Sequence, residues 1–506
     1  MHIPMAGKKI LILQQRGWGI NIGHYLASQL QNEGCRLASW TFKKTTHEFI
    51  TKNDSVKYDL ILNNDQIMEK PESFLNNDDY SLEEICNSLK ISTIWPYVYS
   101  LRNHVKSYPY KYYYGFRQNI SDENIILYIK AIYKCILIFF NEFKPDLIIS
   151  PNFVALPHIM MNLYARVHGI RMMGMTDCKV RGINIVTTSF QDNEGPFFDR
   201  FRELSEKNLD SPNRDKAKCY MQQFRKEFIQ PDYTDSNRNK NKINLLSKIK
   251  HEIRPFYHSA KWILNKNANR LSGFTTTIDY KSPKYILRDH YCTRRYCKFM
   301  DHFQYYPFKK LQRYAYFPLQ FQPEASIDVA APYYNNQIEA ARLVAMSLPD
   351  DYTLVVKEHP AMVGFRPPSY IKKIALTPNV KLIDYRIPSD KVIQNSDIII
   401  SPNSTSLMEA AFYWKPAIQL GNLGTTLLLP NVFKHTDFTT LSFKIKQLLS
   451  IEMKNHQYEK ELENYITAAY DAGFNEDYIN IWEKGRKENL EKLWLFFKSN
   501  INKLIK

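Results

Sequence analysis

Apolar runs of strand length alternate with amphipathic stretches in the first part of the chain. Lys8–Gln14 and Arg36–Phe42 are such runs, and the segment between them has the spacing of a helix that ends at Gly34. Similar runs follow at Tyr58–Asn64, Lys144–Asn152 and Ile170–Met175. Strands that alternate with helices predict a parallel, doubly wound sheet, because right-handed crossovers place helices on both of its faces.

The alternation weakens from Asp199 to about Arg313 and resumes from Tyr316 to about Leu449, where YFPLQF, YTLVVKE, VKLIDY, DIIIS and PAIQLG predict five strands. A length of 506 residues also favours two domains over one. The predicted fold class is therefore α/β, with two Rossmann-like doubly wound domains that face a cleft. The predicted units are residues 1–235, a linker or insertion at 236–313, the second domain at 314–455, and helices at 456–506 that could cross back to the first domain.

The composition indicates a basic net charge and a cellular compartment for the protein. The formal charge of +17 and pI of about 9.2 favour anionic partners, although a lysine-rich composition explains part of the excess. Seven scattered cysteines without a CxxC pair indicate a reducing cytoplasm. The N-terminus lacks the features of a signal peptide, and the apolar run Ile125–Phe140, interrupted by Lys130 and Lys134, is too short to span a membrane.

A basic and amphipathic stretch, Ser236–Arg270, carries nine lysines and arginines against the single acid Glu252. Two interpretations remain open for it. It is either a solvated helix between the domains or a helix that lies on an anionic membrane surface, such as the inner membrane. The aromatic tail residues Trp494–Phe497 allow the same two interpretations, membrane contact or packing on the first domain.

Three polar clusters follow apolar runs in the second half, at Gln322–Glu324, Lys357–Pro360 and Ser401–Ala411. The carboxyl ends of parallel strands form the crevice in which open α/β sheets bind ligands. The third cluster also begins a helix, whose N–H groups suit a phosphate. We interpret this crevice as a nucleotide-sugar site.

Each candidate residue of this crevice has a defined expected role. His359, held by Pro360, and Lys357 are expected to contact a phosphate, and Arg366 is a candidate anion clamp. For the helix start we expect phosphate contacts from Ser404 and Thr405, and ribose contacts from Glu409; a plain helix cap is the competing interpretation. Glu324 could bind a sugar or transfer a proton.

In the first half, the best candidate for chemistry is Met175–Ser189. Asp177 follows a strand and could act as a general base or nucleophile, with Lys179 and Arg181 to bind a sugar carboxylate. Asp192 and Glu194 are rival carboxylates. Gly17 and Gly19 predict a flexible turn that lets substrate approach the backbone; without the remainder of a G-x-G-x-x-G pattern, NAD binding is poorly supported.

QPEAS, VKEHP with the downstream Gly364 and Arg366, NVKLIDY, and the Ser/Thr motif before MEAAFYWKPAI occur in this order over Tyr316–Asn422. Together they resemble the bacterial capsule polysaccharide biosynthesis family, which includes Kdo transferases, and the His-Pro and Ser/Thr motifs are similar to those of bacterial sialyltransferases. The resemblance implies a GT-B fold, a CMP-activated 2-keto sugar acid as donor, and a phosphate held by His359, Ser404 and Thr405. It also implies a carboxylate of the first domain as base or nucleophile, a role that maps to Asp177.

The leading hypothesis is a metal-independent glycosyltransferase without a cofactor, which moves a nonulosonate-type sugar to a surface polysaccharide or lipid-linked acceptor. A UDP- or GDP-sugar transferase or a sugar 2-epimerase of the same fold is an alternative. A different class, a nucleic-acid-binding or scaffold protein, would use the basic stretch and the tyrosine-rich Ser107–Asn119, but no recognised nucleic-acid motif accompanies them.

Overall fold

A computed structural model describes residues 5–104, 120–230, 245–264 and 283–505. The tyrosine-rich Ser107–Asn119 and both ends of the basic stretch Ser236–Arg270, residues 236–244 and 265–270, lie outside these ranges.

The first lobe is built on a six-stranded sheet with the order β3-β2-β1-β4-β5-β6. Neighbouring strands are parallel except β5 and β6, which pair antiparallel. Its central strands are buried over almost their whole length, as expected for a sheet covered on both faces. The strands are β1 (Lys9–Gln15), β2 (Arg36–Phe42), β3 (Leu60–Asn63), β4 (Leu147–Ile149), β5 (Arg171–Asp177) and β6 (Asn184–Thr187).

The second lobe repeats this topology with six parallel strands in the order β12-β11-β10-β7-β8-β9. Counted from its own first strand, this is again the order 3-2-1-4-5-6 of dinucleotide-binding folds. The strand order reverses between β7 and β10, so the ligand crevice of this lobe is expected at the carboxyl ends of these two strands. The strands are β7 (Tyr314–Pro318), β8 (Thr353–Lys357), β9 (Val380–Ile383), β10 (Ile398–Ser401), β11 (Ala417–Gln419) and β12 (Val432–Lys434).

Helices cover both sheets. In the first part of the chain they span Arg16–Trp18, His24–Asn32, Lys44–Lys52, Asn64–Glu69, Pro71–Leu75, Leu82–Leu89, Trp95–Val98, Asp122–Ile138, Leu156–Val167, Pro196–Glu206, Arg214–Lys226, Leu245–Leu264 and Pro283–Asp301. In the second part they span Ala325–Asp328, Gln337–Met346, Pro368–Ala375, Ser389–Asn395, Thr405–Phe412, Gly424–Leu427, Leu441–Leu449, His456–Ala472, Tyr478–Lys484 and Lys487–Leu504. Short 3₁₀ or π-helical turns occupy Gly19–Gly23, Tyr99–His104, Phe139–Phe143, Phe308–Lys310, Pro332–Tyr334 and Pro360–Met362.

The helices Pro196–Glu206 and Arg214–Lys226 share an apolar cluster with the second sheet, although the predicted domain boundary at residue 235 places them in the first domain. Phe224 stacks on Phe412 of the second lobe, with ring centroids 3.9 Å apart. The long helix His456–Ala472 packs in the same cluster through Tyr465. The chain thus changes lobes after β6, where the antiparallel strand ends the first sheet.

The last two helices return to the first lobe. Phe497 and Trp494 are buried there in one cluster with Ile10, Trp18 and Met173, and the Trp18 indole donates a hydrogen bond of 2.8 Å to the Tyr478 hydroxyl. Burial of Trp494 and Phe497 decides between the two interpretations of the aromatic tail: they pack on the first lobe.

Two doubly wound α/β lobes with a C-terminal segment that crosses back confirm the predicted fold class, a GT-B-like pair of Rossmann-like domains that face a cleft. Within the described ranges, no helix combines the length and the apolar character that crossing a bilayer requires.

Candidate active site

A pocket between the lobes brings predicted residues of both halves together. Its walls include Asp177, Lys179 and Arg181 from the first half and Thr405 and Glu409 from the second. Its empty space is about 360 Å³, part of which is open solvent. The remaining wall residues are Tyr220, Phe224, Ile229, Gln230 and Met408.

The segment after β5 supplies the first side of this pocket. Asp177 ends β5 and accepts hydrogen bonds from the Lys179 backbone N–H at 2.6 Å and from its Nζ at 2.9 Å. Lys179 has a φ of 67°, a left-handed conformation that folds its side chain back onto Asp177. Arg181 donates from its guanidinium to the Gln230 carbonyl at 3.1 Å, so it is already held by the pocket wall.

Several carboxylates surround the Lys179 ammonium. Burial alone would lower the pKa of Lys179, but the charges of Asp177 and, further off, of Glu324 and Asp192 outweigh it and raise that pKa. Asp177 and Glu324, the two predicted catalytic residues, therefore approach the same cation from different lobes. Glu324 is exposed at the start of the helix Ala325–Asp328 and accepts a hydrogen bond of 2.8 Å from Ser326.

The rival carboxylates differ from each other in their surroundings. Asp192 accepts a hydrogen bond of 2.8 Å from the Thr176 hydroxyl of β5. Burial raises the pKa of Asp192 to about 6, although the Thr176 hydrogen bond and the Lys179 charge oppose the shift. Glu194 instead forms a 2.7 Å ion pair with Arg166. Asp192 is thus the better-placed rival to Asp177.

The helix Thr405–Phe412 supplies the second side. Ser404 is its N-cap, and the Ser404 hydroxyl accepts a hydrogen bond of 3.1 Å from the Ser406 backbone N–H. Thr405, one residue further on, lines the pocket. A helix start attracts anions through its N–H groups and its dipole. Ser404 therefore caps the helix start, and Thr405 is the residue of this helix start that lines the pocket.

Lys357 and the pocket-wall residue Glu409 are buried groups of opposite charge that act on each other. Lys357 donates to the Ile387 carbonyl at 2.9 Å and to the Ser389 hydroxyl at 2.7 Å. Burial lowers the pKa of Lys357 to about 8, against the charges of Glu409 and Asp390. Burial likewise raises the pKa of Glu409 to about 7, against the charge of Lys357.

Glu409 has one oxygen to spare for a ligand. Its Oε2 is buried and has no hydrogen-bond partner among the residues that the structure describes. An unsatisfied buried acceptor is costly, which makes a donor from a bound molecule favourable at this point. A sugar hydroxyl has the required chemistry.

His359 lies at the end of β8 in a defined tautomer. Its Nδ1 accepts a hydrogen bond of 3.2 Å from the Ala361 backbone N–H, so in the neutral ring the proton is on Nε2. Burial, with the charges of Arg366 and Lys357, lowers the pKa of His359 to about 4. Pro360 begins the 3₁₀ turn that fixes this geometry. The imidazole is therefore a neutral N–H donor at neutral pH.

Arg366 differs from its predicted role as an anion clamp. It is buried, forms an ion pair with Glu358, and donates to the Gln320 carbonyl at 2.6 Å. These contacts tie the segment after β7 to the segment after β8. Because Glu358 already balances the charge of Arg366, this arginine stabilises the two segments that form the crevice instead of binding an anion.

The predicted glycine turn is a helix in the structure and lies apart from the pocket walls. A Cβ at Gly17 would meet Trp482 at 3.9 Å, and a Cβ at Gly19 would meet Thr46 at 2.7 Å. Close packing inside the first lobe therefore explains why residue 19 is a glycine, and no approach of a substrate is needed to explain it.

Sequence reasoning missed the pocket wall formed by Tyr220, Phe224, Ile229 and Gln230. These residues come from the part of the chain with weak alternation, where the helix Arg214–Lys226 follows no strand. Its apolar positions do repeat with helical spacing, which is the signal that could have identified the helix but not its place beside Thr405.

Residues 235–423 match the family described as capsule polysaccharide biosynthesis protein. The match confirms the predicted resemblance to this family over a range that contains every predicted donor-site residue of the second half. Among curated proteins, none matches the chain in sequence.

Solved structures give broad but loose likenesses. A calicheamicin glycosyltransferase is 11% identical, with 97% of this chain and 98% of that chain covered and a TM-score of 0.28. The β-Kdo 2,7 transferase of Thermosulfurimonas dismutans is 11% identical, with coverages of 67% and 80% and a TM-score of 0.32. The UDP-GlcNAc 2-epimerase of Neisseria meningitidis, bound to UDP-GlcNAc, is 12% identical, with coverages of 96% and 99% and a TM-score of 0.25. Scores this low carry no argument about function, and the fold assignment rests on the sheet topology itself.

Proposed function

We propose that the chain is a glycosyltransferase of surface-glycan assembly that takes a 2-keto sugar acid, Kdo or a related nonulosonate, from a CMP-sugar. The acceptor is a polysaccharide or lipid-linked glycan. The observation that carries this proposal is the interlobe pocket, which Asp177 lines together with Thr405 and Glu409 of the second lobe.

The donor end of the pocket suits a single phosphate. In this proposal the Thr405 helix start supplies N–H groups to the phosphate, and the neutral His359, which follows β8, donates to it from Nε2. Lys357 adds positive charge nearby, and the free oxygen of Glu409 accepts a ribose hydroxyl. In this proposal these groups offset the phosphate charge, so that no metal ion or other cofactor is required.

The acceptor end suits acid–base or nucleophilic chemistry. Asp177 either removes the proton of the acceptor hydroxyl or attacks the anomeric carbon, and Glu324 would transfer a proton at the mouth of the pocket. Lys179 and Arg181 bind the carboxylate of the sugar acid. The Asp177–Lys179 ion pair would then open when the donor carboxylate competes for the ammonium.

We place this reaction on the cytoplasmic side of an inner membrane, with an anionic lipid surface as the partner. All seven cysteines are unpaired, consistent with a reducing compartment. No nucleic acid is part of this proposal.

Thermal unfolding in the presence of CMP, UDP and GDP tests the donor assignment. A ligand that binds only the native state raises its stability by about 2.7 kcal/mol at a hundredfold excess over Kd, which is a shift of a few degrees. We expect CMP to raise Tm and UDP and GDP to leave it unchanged. His359→Ala should abolish the CMP shift, whereas Lys381→Ala, inside β9 with its Nζ over the Tyr306 ring rather than at a strand end, should keep it.

A shift with UDP but not with CMP would contradict the CMP assignment and favour a UDP-sugar transferase or 2-epimerase. Release of CMP from a CMP-sugar in the presence of an acceptor glycan is the direct assay of turnover. Salt-sensitive binding of RNA without any nucleotide shift would contradict the enzyme proposal.

A further inference from the structure

One helix of the second lobe leaves a large apolar face uncovered. In the helix Leu245–Leu264, six apolar or aromatic side chains are between 48% and 83% exposed. We call this set the exposed apolar face; it consists of Ile249, Ile253, Phe256, Tyr257, Ile263 and Leu264. Large apolar side chains grouped in this way mark a contact surface rather than ordinary solvent exposure.

The six side chains share one side of the helix. At about 100° per residue they fall within an arc of roughly 120°, and the exposed Ala260 lies in the middle of it. Such a continuous stripe is the pattern of a helix that buries one face against an apolar medium.

Basic residues adjoin one edge of this arc. Lys250, Arg254 and Lys261 follow it on the helix surface, and all three are exposed. At the other edge lies Glu252, whose carboxylate pairs with Arg294 at 2.8 Å and with His290 at 3.4 Å. Its charge is thus balanced locally, which leaves the surface positive.

The neighbouring helix continues the positive charge. Pro283–Asp301 pairs with the first helix in a hairpin and exposes Arg295 and Lys298 in addition to Arg294, which balances Glu252. Tyr291, which is 67% exposed, adds an aromatic ring to this side. The hairpin therefore presents apolar, aromatic and basic groups together.

The hairpin is anchored on the donor lobe. Met300 is buried in the core of the second lobe, and Phe299 packs against the same cluster. A Cβ at Gly364 would meet Cys297 at 2.5 Å, so the hairpin directly contacts the loop between His359 and Arg366. The uncovered face is thus attached to the crevice region rather than to a free end of the chain.

We propose that the exposed apolar face binds an anionic lipid bilayer, with the helix lying in the plane of the membrane surface. Apolar side chains would enter the acyl boundary, while Lys250, Arg254 and Lys261 contact anionic headgroups. A second copy of the chain is disfavoured as occupant, because two such faces would bring like charges together. RNA would satisfy the basic edge but not the apolar arc.

This inference deepens the proposed function by naming the surface that meets the membrane, but it does not require catalysis. Vesicle binding and the CMP-induced Tm shift are separate measurements, so either can fail without the other. Loss of vesicle binding with an intact CMP shift overturns the membrane face alone.

Co-sedimentation of the full chain with vesicles is the test. We expect binding to vesicles of phosphatidylcholine with about one third phosphatidylglycerol, weaker binding to phosphatidylcholine alone, and weakening by added salt. Ile253→Ser/Phe256→Ser should lower the affinity about tenfold or more, since each side chain loses its apolar burial in the bilayer. Lys250→Gln/Arg254→Gln should lower it roughly tenfold on the anionic vesicles only.

The matched control is Leu376→Ser/Phe443→Ser, which removes equally large side chains that are 81% and 74% exposed elsewhere on the second lobe. It should leave vesicle binding unchanged. Unchanged binding of the Ile253/Phe256 variant would overturn the proposal. Two other results would also overturn it. One is a dimer of the native chain, measured by sedimentation velocity without lipid, that the Ile253/Phe256 variant no longer forms. The other is a chain that binds RNA but not vesicles, with RNA binding unchanged in the Ile253/Phe256 variant.

Discussion

The Lys179 ammonium lies close to three carboxylates that belong to different elements. Asp177 contacts it directly, while Asp192 and Glu324 act on it through their charges. Carboxylates in unlike surroundings can hold different protonation states at one pH, which is how acid and base roles are separated. The surroundings of each carboxylate therefore determine whether it could serve as an acid or as a base.

Asp177→Asn should lower kcat by about 10²- to 10⁴-fold, because the amide can neither accept a proton nor attack as a nucleophile. The CMP-induced Tm shift should remain, since the proposed function assigns the donor phosphate to the other lobe. Turnover of a CMP-sugar and thermal shift with CMP, on the same preparation, provide the two readouts.

Asp192→Asn is the matched variant for that experiment. If Asp192 were the base, the rate of the native enzyme would fall as pH drops below about 6, where its carboxyl gains a proton. Normal turnover by Asp177→Asn, together with loss of that acidic limb in Asp192→Asn, would transfer the catalytic role to Asp192.

The positions of the proposed donor residues could be predicted from sequence because each directly follows an apolar run. Lys357, His359 and Thr405 all lie at carboxyl ends of strands or at the helix start that follows, and strand ends are legible in a single sequence. The ion pair of Arg366 could not be predicted from the sequence. Its partner Glu358 is eight positions away and belongs to another element, so only the folded chain shows that the two charges cancel.

At the scale of elements, one close approach joins the lobes. The Gly424 backbone N–H, at the start of the helix Gly424–Leu427, donates a 2.9 Å hydrogen bond to the Gln191 carbonyl. A Cβ at Gly424 would meet the Asp192 carbonyl oxygen at 2.3 Å and the Asn193 Cβ at 2.4 Å. Because Gly424 has no side chain, the loop that carries Asp192 can approach the second lobe closely enough to form this hydrogen bond.

Gly424→Ala should therefore displace this loop, destabilise the protein by about 1–3 kcal/mol through overpacking, and reduce turnover. Chemical unfolding and kcat measure the two effects. Gly17→Ala is the control: its Cβ would make only an ordinary contact at 3.9 Å, and alanine favours the helix that starts at Arg16. A loss of activity in Gly17→Ala alone would revive the predicted substrate approach at the glycine turn.

Which elements could be predicted depended on their length and periodicity. Long apolar strands such as β1 and β8 were evident, whereas β6 and β12, with four and three residues, were not predicted. The Gly17–Gly19 segment was predicted as a turn because glycine usually marks one, but packing against Thr46 and Trp482 selects helical turns there.

On the scale of the whole molecule, the two sheets share one strand order and face each other across the pocket. Sequence alternation was sufficient to predict two doubly wound lobes. It could not predict that helices 196–226 would pack with the second sheet, since that choice depends on contacts with Phe412 and Tyr465 far along the chain.

Phe497 tests the return of the C-terminal helix to the first lobe. Phe497→Ala should cost about 3–5 kcal/mol, because the ring is fully buried and leaves a cavity beside Ile10 and Trp18. Leu495→Ala on the same helix, where the side chain is 65% exposed, should change stability by less than about 0.5 kcal/mol. Urea unfolding compares the two; equal effects would contradict the packing of this helix.

The return of Tyr478–Lys484 and Lys487–Leu504 to the first lobe has a consequence for biosynthesis. While the ribosome is still making the second lobe, the first sheet has emerged without the helices that cover Trp18 and Met173. Its apolar face stays uncovered until translation has passed residue 504. The nascent chain therefore exposes a hydrophobic surface that chaperones can bind during most of its synthesis.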